Sequence, residues 1–139
     1  MEKIEVLGKV IGKGRPRFTR RGSYVTTYTP RDTQKYEEKI KEVYLYQECK
    51  KFENDPLKIK ITAYYKPPES ISQKKKKELI GTWRDKKPDI DNIAKIVCDA
   101  LNGVAYKDDN QIALMLVAKL YGEEDKLIVE IDELGVQDI

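Results

Sequence analysis

Two pairs of aspartates in the second half of the chain have a spacing typical of a site that binds divalent cations. Asp89 and Asp91 stand two positions apart at the start of a predicted helix, so that both side chains point the same way in an extended entry to the helix. Asp108 and Asp109 come directly before a predicted strand. Carboxylates brought together repel one another unless a cation lies among them, and their hard oxygen atoms suit Mg²⁺ or Mn²⁺. The pattern therefore predicts a site for divalent cations.

The predicted helix between these pairs adds two more polar side chains to the same side. Lys95 and Asp99 follow Asp91 at steps of four residues, which places the three on one helical face. The opposite face is apolar and consists of Ile93, Val97, Ala100 and Leu101. A helix held from behind by apolar contacts presents its charged groups in a fixed geometry. Lys95 would bring positive charge to the acids; whether Asp99 and Asp108 bind the cation or support it is left open.

Each of these residues also has a simpler interpretation. An aspartate at a helix start is often a cap, worth about 1 kcal/mol. Lys95 and Asp99 match a surface ion pair of about 0.3–0.5 kcal/mol, while Asp108 and Asp109 match ordinary turn residues. All of these coincidences would have to occur together in one short segment, and we therefore favour the cation site.

Composition excludes several other kinds of site. The 139 residues contain no histidine, which removes histidine general bases, Ser-His-Asp triads and zinc sites with histidine ligands. Cys49 and Cys98 are too few for a disulfide scaffold and favour a reducing compartment. The opening MEKIEVLGKV does not resemble a secretion signal, and no apolar run reaches the roughly 18 residues that span a bilayer. We expect one domain over residues 1–139, located in the cytoplasm and not in a membrane.

The net charge of +3 conceals a strong asymmetry along the chain. Residues 1–88 contain 23 Lys and Arg against 12 Asp and Glu, whereas residues 89–139 contain 4 against 12. The basic part suits a polyanion such as DNA, and mutual neutralisation of the two parts is the alternative. The candidate DNA contacts are basic residues near aromatic rings or directly before the acidic segment: Lys13, Arg15, Arg17, Arg20, Arg21, Arg84, Lys86 and Lys87.

Hydrophobic periodicity predicts an α+β fold, a single domain with a mixed sheet of about four strands and about three helices. The predicted strands are 2–10, 57–65, 110–121 and 125–132. The last two are expected to pair as a hairpin at the end of the chain. The predicted helices are 30–51 with Thr29 as its cap, 70–80 with Ser70 as its cap, and 89–101. Glycines and a proline in residues 12–22 predict an extended basic loop.

Three segments together resemble one protein family. They are KPDIDNIAKIVCDAL at 87–101, DDNQI at 108–112, and GKGRPR at 12–17 followed by TYTP. In these segments the chain is similar to the RusA family of Holliday junction resolvases. Its members are small homodimeric, Mg²⁺-dependent endodeoxyribonucleases that cut four-way DNA junctions, and many are encoded by phages or prophages.

The resemblance assigns roles to individual residues. It implies that Asp89, Asp91 and Asp109 are the metal-binding acids, with Asp108 beside them, and that Lys95 is the catalytic lysine. Surrounded by acids, Lys95 is expected to stay protonated and to stabilise negative charge at the phosphate rather than to act as a general base.

The function that the resemblance implies is Mg²⁺-dependent hydrolysis at Holliday junctions, in recombination and repair, by paired symmetric cuts. A two-fold homodimer would match the approximate two-fold symmetry of a four-way junction. Three alternative functions are also compatible with these residues. The first is a metal-dependent nuclease acting on flaps, forks or RNA, the second a non-catalytic nucleic-acid-binding module, and the third a protein-interaction domain.

Overall fold

Two helices cover one face of a four-stranded mixed sheet in the computed structural model of this chain. The structure describes residues 1–14, 17–22, 24–28 and 30–135, with the backbone alone at 17–21 and 24–28. The strands are β1 Glu2–Leu7, β2 Arg17–Arg21, β3 Tyr24–Tyr28, β4 Leu57–Tyr65, β5 Ile112–Tyr121 and β6 Lys126–Glu133. The helices are α1 Arg31–Tyr46, α2 Gln73–Leu79 and α3 Ile90–Leu101, and one 3-10 turn covers Asp109–Gln111. The predicted α+β class with a mixed sheet is confirmed.

The order of strands in the main sheet is β1-β6-β4-β5. β5 runs parallel to β4, whereas β6 runs antiparallel to both of its neighbours. The predicted hairpin of the last two strands is therefore wrong, because β4 lies between them. Their connection crosses the end of β4, where Gly122 N donates a hydrogen bond to Tyr65 O at 2.9 Å. A Cβ at Gly122 would lie 2.9 Å from Tyr64 Cδ1, so only glycine allows this close crossing.

The predicted loop at 12–22 is also partly wrong, since β2 and β3 form a separate two-stranded hairpin. Its pairing runs from Arg17 opposite Tyr28 to Arg21 opposite Tyr24. Aromatic and β-branched residues make up all of β3 and two of the five residues of β2, and they favour extended pairing. Gly22 makes the tight turn with a positive φ of 61°. The first main-sheet strand is shorter than predicted and ends at Leu7.

The core lies between the sheet and helices α1 and α3. Alternate residues of β4 are fully buried, among them Ile59, Ile61 and Ala63. The predicted buried face of α3 is confirmed, with Ile96 as a further member; Cys98 is also buried but lies outside the core cluster. Because this helix is anchored from behind over its whole length, its outer face has a fixed place relative to β5.

Two helix boundaries differ from the predictions. α1 ends at Tyr46 rather than near residue 51, because Glu48 has a positive φ of 54° and the chain turns back towards the buried Phe52. α2 is capped by Ser72, not by Ser70, and the Ser72 side chain accepts a hydrogen bond from Lys75 N at 3.3 Å. Within the described part of the chain, no helix has the length and apolar character required to cross a membrane.

Candidate active site

Asp89 occupies the capping position of α3, but its side chain makes no capping hydrogen bond. The residue is extended, and its backbone oxygen accepts hydrogen bonds from the N–H groups of Asn92 and Ile93, each at 3.1 Å. The backbone therefore starts the helix, while the carboxylate is exposed and free of the structural role that an aspartate commonly has here.

The outer face of α3 and the segment before β5 enclose an open cavity of about 530 Å³. Its charged lining side chains are Asp91, Lys95, Asp99 and Asp109. The remaining walls are Ile90, Ala94, Cys98, Met115 and Val117. Four of the residues singled out in the sequence thus meet in one place. Asp89 borders a neighbouring cavity of about 370 Å³, which also includes Pro88 and Asn92 at the first turn of the same helix.

The adjacent residues Asp108 and Asp109 have different surroundings. Asp108 is the cap of the 3-10 turn, and its Oδ2 accepts a hydrogen bond from Asn110 N at 3.3 Å. Asp109 lines the cavity together with Asp91. The turn-residue interpretation therefore describes Asp108, whereas Asp109 presents its carboxylate to the cavity.

Gln111, which belongs to the DDNQI segment of the family resemblance, fixes this turn, a role that was not predicted for it. Its Oε1 accepts hydrogen bonds from the N–H groups of Lys107 at 2.8 Å and Asp108 at 3.2 Å. Its Nε2 donates to the carbonyl oxygens of Phe52 at 3.0 Å and Asp55 at 3.3 Å. A glutamine three residues after an aspartate is the capping-box pattern, and that pattern was the available signal.

Asp99 is held by a lysine from the other end of the chain. Lys13 Nζ lies 3.2 Å from Asp99 Oδ2 and 2.8 Å from Glu37 Oε1, and its side chain is only 15% exposed. Burial lowers the pKa of Lys13, but the hydrogen bonds to Glu37 and Asp99 outweigh it, and the pKa is raised. Lys13 is thus directed to contacts within the protein. No ion pair joins Lys95 to Asp99 among the described residues, and the simple surface-pair interpretation does not apply.

Cys98 contributes a thiol to the cavity wall, and this thiol is protonated at neutral pH. Burial, together with the nearby Asp109, raises the pKa of Cys98 to about 11. The hydroxyl of Tyr106 donates a hydrogen bond to the Cys98 carbonyl at 2.8 Å and fixes the last turn of α3. A protonated thiol is a poor nucleophile.

The oxygen donors of the cavity suit Mg²⁺, a hard cation that takes carboxylate ligands. Within the described ranges, no three acidic, cysteine or histidine side chains form a ready-made metal cluster. Mg²⁺ is commonly bound by one or two carboxylates, with waters and substrate phosphates completing its shell. Asp91 and Asp109, which share the cavity, are the pair that matches this mode, and Asp89 stands at the neighbouring turn.

The predicted DNA contacts divide into several groups. Lys86 and Lys87 are exposed directly before Asp89. Arg84 donates from Nη1 to the carbonyl oxygens of Lys86 and Lys87, and its guanidinium lies 4.0 Å from the centre of the Tyr65 ring. Arg15 lies outside the described residues, as do the side chains of Arg17, Arg20 and Arg21 on β2. Among the predicted contacts, Lys86 and Lys87 are therefore the exposed basic side chains that the structure describes close to Asp89.

Comparison with known proteins gives one family and two relatives. Residues 8–132 match the family model described as Endodeoxyribonuclease RusA. The chain is 35% identical over 137 residues to the uncharacterized protein YqaN of Bacillus subtilis (strain 168), covering 96% of each chain. It is 33% identical over 82 residues to the crossover junction endodeoxyribonuclease rusA of Lactococcus phage r1t, covering 58% of this chain and 57% of that protein.

Proposed function

The chain belongs to the RusA family of endodeoxyribonucleases, and from this premise we propose that it resolves four-way DNA junctions by Mg²⁺-dependent hydrolysis of phosphodiester bonds. The observation that carries the proposal is the cavity between α3 and β5 that Asp91, Lys95 and Asp109 all line. Acids and a lysine in one open cavity suit a phosphodiester, because the substrate is anionic and its reaction builds up further negative charge.

Asp91 and Asp109, with Asp89 at the helix start, are the residues that would hold Mg²⁺ (or Mn²⁺). When bound, the metal polarises phosphate oxygens and lowers the pKa of coordinated water. Lys95 stabilises negative charge at the phosphate from the same wall of the cavity. Asp99 acts indirectly, because its ion pair with Lys13 leaves it as a support for the outer face of α3.

Lys86 and Lys87 are proposed to contact the DNA backbone next to the reacting phosphate. Both are exposed and directly precede Asp89, so they offset the repulsion between the acidic cavity and a polyanion. The arginines of the β2–β3 hairpin, Arg17, Arg20 and Arg21, together with Arg15 before it, are proposed as further phosphate contacts. Acting on DNA in recombination and repair, the protein would work in the cytoplasm.

We propose that the active form is a two-fold homodimer, joined along the free edge of β5. Thr82 and Arg84 pair with the end of β5, where Tyr121 N donates to Thr82 O and Arg84 N donates to Lys119 O, each at 3.0 Å. Residues 112–118 (IALMLVA) have no strand on their outer side among the described residues and carry no charge. The opposite edge strand, β1, has the guarding charges that exposed edges commonly carry.

A second copy suits this edge better than another partner does. A seven-residue stretch without charges pairs with itself about a two-fold axis without opposing like charges. Met115 is 36% exposed and Leu116 49% exposed, and Met115 also lines the acidic cavity. Pairing here would place two cavities about one axis, as two matched cuts in a junction require.

The proposal is tested by a nicking assay on a synthetic four-way junction, with a linear duplex of the same sequence beside it. Wild type and Asp91→Asn are compared with and without Mg²⁺. We expect paired, symmetric cuts in the junction alone, dependent on Mg²⁺ and lost in the variant. Equal cutting of both substrates would discard the junction preference, whereas cutting of flaps, forks or RNA in its place would assign another substrate. Tight binding without cutting under any metal would indicate a non-catalytic module.

A further inference from the structure

The short segment that leads into α3, residues 84–88, is held by two cations of the protein itself. Lys119 Nζ donates to the carbonyl oxygens of Lys86 at 2.6 Å and Pro88 at 2.9 Å. Arg84 Nη1 donates to the carbonyl oxygens of Lys86 at 3.1 Å and Lys87 at 2.7 Å. Three successive carbonyls directly before Asp89 are therefore all hydrogen-bonded by Lys119 and Arg84.

Lys119 lies at a position in the sheet where a charged side chain requires hydrogen-bond acceptors. In the parallel register of β4 and β5 it pairs with the fully buried Ala63, on the sheet face that carries the helices. A charge on such a face costs free energy unless it is hydrogen-bonded, and the two carbonyl oxygens provide this compensation. Its backbone oxygen also accepts the hydrogen bond from Arg84 N at 3.0 Å. The segment and the strand are thus joined through both backbone and side chain.

A second contact fixes the same place from the other side. Lys13 N donates to Asn92 O at 2.8 Å, in the first turn of α3. A Cβ at Gly12 would lie 2.9 Å from the Cβ atoms of both Asn92 and Pro88. The start of α3 is therefore held between β5, through Lys119, and the segment that leads towards the β2–β3 hairpin.

From these contacts we infer that Lys119 is a positioning residue for Asp89. Its ammonium group binds the carbonyl oxygens of Lys86 and Pro88 and so fixes the place at which the helix starts. With those oxygens occupied by the cationic side chains of Lys119 and Arg84, the segment presents the side chains of Lys86 and Lys87 to the solvent and no row of unpaired acceptor oxygens that would repel phosphates. The inference rests on the proposed nuclease function for its catalytic consequence, whereas the structural consequence holds without it.

The test compares Lys119→Met, Lys119→Arg and the matched control Lys60→Met. Lys60 lies on β4 and is exposed, so its substitution removes one positive charge from the same sheet without touching the segment. We expect K119M to lower the cleavage rate at saturating enzyme about 10–100-fold and to raise the Mg²⁺ concentration required. Its Kd for the junction should stay unchanged, K119R should recover part of the rate, and K60M should behave as wild type.

Hydrogen exchange without metal or DNA gives a readout that does not depend on cleavage. In K119M the amides of residues 86–93 should exchange faster than in wild type, and in K60M they should not. Unchanged exchange and unchanged cleavage in K119M would overturn the inference. So would a weaker Kd with a salt slope reduced by about one and unchanged exchange, because that result identifies a phosphate contact.

Two other results, an unfolded K119M variant and a wild type without cleavage activity, still leave the inference testable. If K119M is not folded at the assay temperature, Lys119→Gln, which removes the charge but retains an amide donor, replaces it, and the same changes are expected at a smaller size. If the wild type cuts no junction under any metal, the proposed function fails. The exchange comparison then still decides whether Lys119 holds the start of α3.

Discussion

Asp108 and Asp109 are neighbours in the sequence with different surroundings, and a pair of conservative substitutions tests whether their roles differ. Asparagine caps a helix about as well as aspartate, so Asp108→Asn keeps the hydrogen bond to Asn110 N. Asp109→Asn removes a charged oxygen from the cavity shared with Asp91. We expect D109N to lower the single-turnover cleavage rate at least about 100-fold and D108N to change it less than about threefold. Both should bind the junction as wild type does.

The thermal unfolding of both variants provides the control. Similar Tm values would show that the loss in D109N is chemical rather than structural. Equal losses of cleavage in the two variants would contradict the division of tasks, and a larger loss in D108N would move the metal ligand to that residue.

Lys95 is the positive group among the acids, and its substitution tests an electrostatic role. Lys95→Met keeps the length of the side chain but removes the charge from the cavity wall. We expect the single-turnover rate to fall about 100-fold, with a junction Kd within about threefold of wild type, because the charge acts mainly on the transition state. Retained turnover in this variant would remove Lys95 from the mechanism.

At the scale of elements, the ion pairs of Lys13 join the segment before β2 to both α1 and α3. Lys13→Met should reduce the free energy of unfolding by about 1–2 kcal/mol, because Glu37 and Asp99 are left partly buried without their cation. The raised pKa means that the folded state favours the protonated lysine. Its contribution is therefore complete below the unfolded pKa of about 10.5 and is lost as the pH rises through the higher folded value.

Urea unfolding at several pH values measures this contribution. The difference between wild type and K13M should be constant from about pH 7 to 9 and should narrow above about pH 10.5. Lys50→Met, which breaks an exposed pair with Glu133, is the matched control and should change stability little. A K13M difference that is no larger than that of K50M would contradict the structural role of the pair.

The helices and strands could be predicted from the sequence, whereas the order in which the strands pair could not. The hydrophobic residues of α3 repeat with a 3.6-residue period, and those of β4 alternate with polar residues. Each pattern lies within one short segment, so both elements were predicted with nearly their observed bounds. Strand order is not local, since nothing within β5 and β6 indicates that β4 lies between them. The β2–β3 hairpin was missed because the glycines, proline and arginines of residues 12–22 favoured a loop prediction over the strand preference of the aromatic and β-branched residues.

In the candidate site, too, local arrangements could be predicted from the sequence and long-range contacts could not. The residue types and the spacing of Asp91, Lys95 and Asp109 predict that they belong to one site, because they lie on one helix and on the turn before the next strand. The partner of Asp99 is 86 positions away in the chain, and no periodicity reports such a contact. Lys119 likewise looks in the sequence like an ordinary strand lysine, and only the packing of β5 against the 84–88 segment gives it a role.

At the scale of the whole molecule, the free edge of β5 is expected to join two copies. Leu116→Glu places a carboxylate beside Lys60, its register partner on β4, so a single copy tolerates the change. Across a two-fold axis, however, the edge would gain two buried charges, and we expect a monomer by sedimentation. Leu7→Glu, on the exposed β1 edge, is the control and should remain a dimer. A dimeric L116E protein would exclude this edge as the interface.

Paired cutting of a junction is the central claim, and a supercoiled plasmid with an extruded cruciform tests it most directly. Two cuts within one binding event give a linear product, whereas unpaired nicks relax the plasmid and the cruciform is lost before a second cut. We expect linear product with Mg²⁺, none from Asp91→Asn, and none from the same plasmid without the inverted repeat. Nicked circles alone, or equal cleavage of the plasmid that lacks the repeat, would contradict a paired, junction-selective reaction.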